Sequence, residues 1–239
     1  MKLAVMLDPG HGGSAPGACA NGLKEKDINW KTCVEVKVML TARGIKTELT
    51  RKENECPGLN MRALVAEQWG ADILVSVHHN AGGGVGFEIY RSVKGTKDDE
   101  LAELLKAQFK TIGQVQHGAG GGIYTRTLAD GSDYYGVLRY SAALGIPAII
   151  GEFCYIDSVD HEKVISDYLI KQEAEAYAKA ICELCGVAWE LKDKATLIAE
   201  ALKAKGWSNS PDYWTSVLQG KQGVNLEYLT ALLAKAAGI

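Results

Sequence analysis

Three stretches of this 239-residue chain carry side chains suited to metal chemistry. Asp8-Pro9-Gly10-His11-Gly12-Gly13 follows an apolar run over residues 3–7 and presents one imidazole on a turn where glycine lets the backbone bend sharply. Glu25 stands in Gly22-Leu23-Lys24-Glu25-Lys26-Asp27, and Ser76-Val77-His78-His79-Asn80 follows a second apolar run over residues 71–75. Two histidines and a carboxylate drawn from these stretches make the ligand set of a catalytic zinc that keeps its fourth position for water. In an alternating strand His78 and His79 face opposite ways, so at most one of them readily joins His11. No stretch is diagnostic alone. Pro and Gly suit any tight turn after a strand, and the helix dipole favours a carboxylate such as Glu25 at a helix start.

The elements that must position these residues follow from hydrophobic period. Residues 3–7 read as a buried strand, and 26–43 as a helix with Ile28, Val34, Val36, Val38, Met39 and Leu40 as its stripe and Gly44 as its stop. Strands are expected at 45–50, 71–77, 85–91 and 146–151, and helices at 59–69, 98–112, 132–144 and 161–185. The helix at 132–144 carries Arg139, the last strand delivers Glu152 at its end, and the glycine-rich loop 117–122, which begins at His117, is a candidate groove rim. This rhythm predicts an α/β fold, a twisted and mainly parallel sheet with helices on both faces. Sites in such sheets gather at the carboxyl ends of strands, where His11, His78 and Glu152 all fall.

Composition shifts at 186–193. Three short apolar patterns follow, around Leu197, Ile198, Ala201 and Leu202, then Tyr213, Trp214, Val217 and Leu218, then Leu226, Leu229, Leu232 and Leu233. We expect two domains, 1–187 and a small three-helix module at 188–239. The module's Trp207, Tyr213 and Trp214 suit either its own core or ligand binding.

A net charge of −3 offers no basic field for nucleic acid, and no apolar run reaches the roughly 18 residues of a membrane-spanning helix. Six scattered cysteines suit reduced, buried thiols better than a disulfide framework, and Cys182-Glu183-Leu184-Cys185 has no second pair to complete a zinc knuckle. The N-terminus enters the first strand at once, with no room for a signal peptide, which predicts synthesis in the cytoplasm.

With these residues in place, the chain resembles the zinc-dependent N-acetylmuramoyl-L-alanine amidases of the amidase-3 type, the peptidoglycan hydrolases that serve as phage endolysins and bacterial autolysins. The matching features are Asp8–Gly13, Glu25 with Lys26-Asp27, Ser76–Asn80, Tyr135–Arg139 and Pro147–Phe153, and the resemblance covers about residues 1–185. It implies one zinc held by His11, Glu25 and His78, with Glu152 as catalytic carboxylate and His79 at the family's variable position. It also implies bacterial peptidoglycan as the partner and hydrolysis of the amide between N-acetylmuramic acid and L-alanine. In that scheme a water on the zinc attacks with Glu152 as general base and acid. Asn80, His117 and Arg139 are candidate substrate-binding residues, and Asn80 alternatively orients His78 or its loop. The chain departs from the family after Glu152, where it reads Phe153-Cys154-Tyr155-Ile156-Asp157-Ser158. An endolysin-like route, release from the cytoplasm onto the wall, fits this reading, with the C-terminal module binding wall or docking on the catalytic domain. Two His and two Glu also suit a zinc peptidase or deacetylase acting on another amide, and a silent wall-binding protein could keep the fold. A phosphate-binding turn is disfavoured, because no Lys-Ser/Thr follows the glycines.

Overall fold

Alternation along the strands decides which face of the sheet each side chain serves. The computed structural model describes residues 3–95, 97–190, 199, 202–207, 210–219, 221, 223–225, 229 and 231. Its six-stranded sheet runs in the order β4 (Thr47–Leu49), β1 (Val5–Pro9), β5 (Ile73–Asn80), β8 (Ala148–Tyr155), β6 (Glu88–Arg91) and β7 (Ile123–Tyr124). Neighbours are parallel except β6 against β8. Val5, Leu7, Ile73, Val75, Val77 and Ile149 face one way and pack with α1 (Glu25–Ala42), α3 (Lys97–Thr111) and α5 (Asp167–Leu184). Met6, Leu74, Ala148 and Ile150 face the other way and meet α2 (Leu59–Trp69) and α4 (Gly136–Ala143). A fully buried side chain of this kind contributes about 1.5–3 kcal/mol, so both faces are firmly held. The expected α/β sheet with helices on both sides is what forms.

Among the elements that differ from expectation, four do so for a local reason. The buried face of α1 is Ile28, Asn29, Thr32, Cys33, Val36 and Leu40, whereas Val38 is 60% exposed. Asn29 and Thr32, like Glu25 at the start of the helix, are buried because they have polar partners, described below. β8 continues to Tyr155, so Glu152 lies inside the strand, and its register with β5 shifts between His78 and Asn80. The helix expected at 132–144 begins only at Gly136, because the loop before it is tied back by Tyr134 N–H donating to the Arg126 carbonyl at 2.8 Å. The long closing helix divides into a 3-10 turn (Val159–Lys163) and α5, which starts where the Ser166 hydroxyl accepts from Leu169 N–H at 3.3 Å.

A short hairpin, β2 (Cys19–Ala20) with β3 (Leu23–Lys24), leads directly into α1. Its turn is Asn21-Gly22, at φ 52° and 75°, the two successive positive φ values that a tight two-residue hairpin demands. The hairpin sets where α1 begins, and Glu25 is the helix's first residue.

The chain divides into two compact units, residues 1–189 and 190–239. In the second, a helix spans Pro211–Leu218, with proline in its first turn, Trp214 buried and the Tyr213 ring 5.2 Å from it. Leu202 and Leu229 are helical, while Leu197, Ile198, Ala201, Leu226, Leu232 and Leu233 lie outside the described residues. Of the cysteines, Cys33, Cys154 and Cys182 are buried, and Cys19 and Cys56 are exposed. Among the described residues, no helix is long and apolar enough to cross a membrane.

Candidate metal centre

The turn after β1 is built before it is used. Asp8, fully within the core, accepts from Ser76 Oγ at 2.6 Å and from Thr50 Oγ1, and pairs with Arg62 Nη1 at 2.8 Å. Burial alone would raise the Asp8 carboxyl, but the Arg62 guanidinium and the Ser76 and Thr50 hydroxyls outweigh it and hold it below the usual carboxylate range. Two arginines then tie down the turn's carbonyls. Arg51 donates to the oxygens of Pro9 (2.8 Å) and Gly10 (3.3 Å), and Arg62 to those of Pro9 (2.8 Å) and His11 (2.7 Å). His11 sits at φ 59°, a left-handed conformation that few non-glycine residues adopt and that this clamp maintains.

His11, Glu25 and His78 converge, with one donor atom from each within 4.8 Å of the others. Glu25 is central. Its Oε2 lies 3.1 Å from His11 Nε2 and accepts from Ala18 N–H at 2.9 Å, while its Oε1 lies 2.9 Å from His78 Nδ1. Glycine makes the space: a Cβ on Gly10 would fall 2.2 Å from the His78 ring, and one on Gly17, at φ +71°, 2.4 Å from Glu25 Oε2. Burial works against the Glu25 charge, yet hydrogen bonds from both imidazoles hold its carboxyl far below the usual range. Burial likewise opposes the His78 charge, but the Glu25 hydrogen bond and the Glu152 carboxylate push that imidazole up to about 9.

Two imidazole nitrogens and one carboxylate oxygen, converging at the carboxyl ends of the strands, are a donor set that would suit zinc. Glu152 supplies a second fit. It stands in register with His78 on the neighbouring strand, and its Oε2 is buried with no hydrogen-bond partner among the described residues. Burial pushes this carboxyl up to about 7, with His78 opposing and Glu25 adding to the rise. A carboxyl in that range both takes and returns protons at neutral pH.

His79 turns the other way, as alternation requires. Its Nδ1 faces Asn29 Oδ1 at 2.8 Å and its Nε2 faces Glu173 Oε2 at 3.2 Å, away from the cluster. Burial would lower the His79 pKa, but the Glu173 carboxylate outweighs it and raises it. The other candidates make contacts of their own outside the ligand cluster. Asn80 Nδ2 donates to Glu88 at 2.6 Å, and its Oδ1 accepts from Ala81 N–H. The His117 ring lies 4.9 Å from that of Tyr155, and Arg139 donates to the carbonyls of Asp133 and Tyr134 at 2.7 and 3.0 Å. Sequence reasoning missed Glu88, which pairs in register with Glu152 and accepts from Tyr155 as well as Asn80. β6 runs antiparallel, so it is the start of this strand that borders the cluster, and a rule that reads carboxyl ends passes over it.

A family model described as N-acetylmuramoyl-L-alanine amidase matches residues 5–183. The chain is 29% identical over 224 residues to the sporulation-specific N-acetylmuramoyl-L-alanine amidase of Bacillus subtilis (strain 168), covering 86% of this chain and 82% of that protein. It is 36% identical over 191 residues to the endolysin of Bacillus phage SPP1, covering 77% of this chain and 66% of that one. Among solved structures, Cwp6 from Clostridium difficile superposes with a TM-score of 0.71 at 29% identity, over 77% of this chain and 29% of Cwp6.

Proposed function

Since the chain belongs to the N-acetylmuramoyl-L-alanine amidase family, we propose that it hydrolyses its amide with one zinc held by His11, Glu25 and His78 and with Glu152 as the proton carrier. It is a peptidoglycan amidase, acting on the bond between N-acetylmuramic acid and L-alanine. The single observation that carries the mechanism is the pairing of His78 with Glu152 across β5 and β8, which sets a buried, unpartnered carboxylate oxygen beside the ligand cluster.

Bound there, zinc would supply Lewis acidity, lowering the pKa of water toward about 7 and polarising the scissile carbonyl. The protein's own groups do the rest. Glu25, anchored by the Ala18 amide, stands between the two imidazoles, so its carboxylate and both rings would face one ion. Glu152 accepts the proton of the attacking water and returns it to the leaving nitrogen of L-alanine. Around them we assign Asn80, His117 and Arg139 to the substrate groove: Asn80 by holding Glu88, His117 by its stack on Tyr155, and Arg139 by holding the 133–134 loop. The kinship with a phage endolysin supports action on the wall after release, and to the second unit we assign either wall binding or docking on the catalytic domain.

The test is zinc content together with hydrolysis of purified peptidoglycan, following new N-terminal alanine. Glu152→Gln should keep about one zinc per chain and lose roughly 10²–10⁴-fold in rate, the usual contribution of a general acid–base group. Zinc binding without new alanine termini would move the activity to another amide. Full activity in Glu152→Gln would remove this residue from the mechanism.

A further inference from the structure

Behind the ligand cluster lies a chain of buried polar groups that no step above uses. It begins at Glu173 on α5, whose Oε2 meets His79 Nε2 and Thr32 Oγ1, both at 3.2 Å. It continues from His79 Nδ1 to Asn29 Oδ1 at 2.8 Å. It ends where Asn29 Nδ2 donates to the Gly10 carbonyl at 3.2 Å and to Glu25 Oε1 at 3.3 Å. Asn29, Thr32 and Glu173 are fully buried, and His79 is nearly so.

The amide of Asn29 has only one workable orientation. Turned over, its oxygen would face a carbonyl and a carboxylate, three acceptors with no proton among them, while its nitrogen would meet the His79 N–H. His79, with an acceptor on each side, presents an N–H to Asn29 and keeps the amide the right way round. Asn29 lies one turn along α1 from Glu25, so a fixed amide donates to Glu25 Oε1 from a rigid base. We propose that Asn29, held in orientation by His79, is a positioning residue that aims the Glu25 carboxylate at the metal, so that the Glu173–His79–Asn29 chain sets zinc affinity. The proposal rests on the zinc reading of the cluster.

The test uses the full chain and Zn²⁺ alone, with affinity measured by competition against a chromogenic chelator. The absorption spectrum of the Co²⁺-loaded protein reports ligand geometry, and apo-protein thermal unfolding reports stability. Asn29→Ala should bind zinc about 10–100-fold more weakly, the usual effect of losing an outer hydrogen bond to a ligand, and should alter the cobalt spectrum. His79→Gln keeps the backbone N–H that donates to Glu25 Oε1 at 3.2 Å; it should weaken zinc in the wild-type background but add nothing in the Asn29→Ala background, because the side chain acts only through that amide. Lowered stability with unchanged zinc affinity in both single variants would reduce the chain to core packing and overturn the proposal. Additive losses would overturn the relay. Should His79→Gln not fold, Thr32→Val probes the far end of the same chain. There a smaller loss of zinc affinity supports the proposal, and an unchanged affinity overturns it. Wild type that binds no zinc would fail the metal reading itself, a result distinct from weakened binding in the variants.

Discussion

Asp8, near the end of β1, opens the sequence's most chemical-looking stretch, yet its work is structural. It is a buried carboxylate whose charge is matched by Arg62, and removing one partner of such a pair typically costs about 3–5 kcal/mol. Arg62→Met should therefore lower unfolding free energy by about that amount in urea titration and free the His11 carbonyl, with zinc binding weakened in parallel. The pair also gives stability a pH dependence. Because the folded Asp8 pKa lies below the unfolded value of about 3.9, its contribution is complete above that pH and is lost as pH falls through the folded value. Stability measured from pH 5 downward should fall less steeply in Asp8→Asn than in wild type. Sequence reading found His11 by its glycines but passed over Asp8 and Arg62. A buried salt bridge joins residues 54 apart, and neither partner bears a local mark of the other.

At the scale of elements, the site depends on how closely one backbone passes another. Gly10 has no left-handed backbone requirement, so its conservative replacement isolates a steric effect. Gly10→Ala places a methyl against the His78 ring and should weaken zinc binding about tenfold or more, while circular dichroism stays that of the wild type. Full zinc affinity in this variant would mean that the ring has room to move. Much of this scale was legible in the sequence. The strand periods, the helix at 59–69 and the opposed directions of His78 and His79 follow from alternation and helical spacing alone. Three things were not. The true buried face of α1 is partly polar, so hydrophobic period misplaces it at Val38. β8 outruns its apolar core to include Glu152 because pairing with β5 and β6, and not hydrophobicity, sets its length. The Asn21-Gly22 hairpin signal was present but unused, since two-residue strands are too short for any period to register.

For the whole molecule, the division at residue 189 gives a direct expectation. Residues 1–189 made alone should fold, hold zinc and cleave a soluble muramoyl peptide at the rate of the full chain, while binding to intact wall is reduced. Loss of zinc or cooperative unfolding in this fragment would tie the second unit to the integrity of the first. The strand order carries a consequence for how the chain is made. β8 is the last strand in sequence but lies between β5 and β6, so β6 and β7 have no link to the rest of the sheet until it arrives. His11, Glu25 and His78 leave the ribosome before Glu152 does, by on the order of ten seconds at ordinary elongation rates. In that interval two unpaired inner edges wait side by side, the condition in which chaperones engage nascent chains and stray strands pair wrongly. The strand that closes this gap is also the one that delivers Glu152, so a nascent chain can bring His11, Glu25 and His78 together well before the carboxylate beside them arrives.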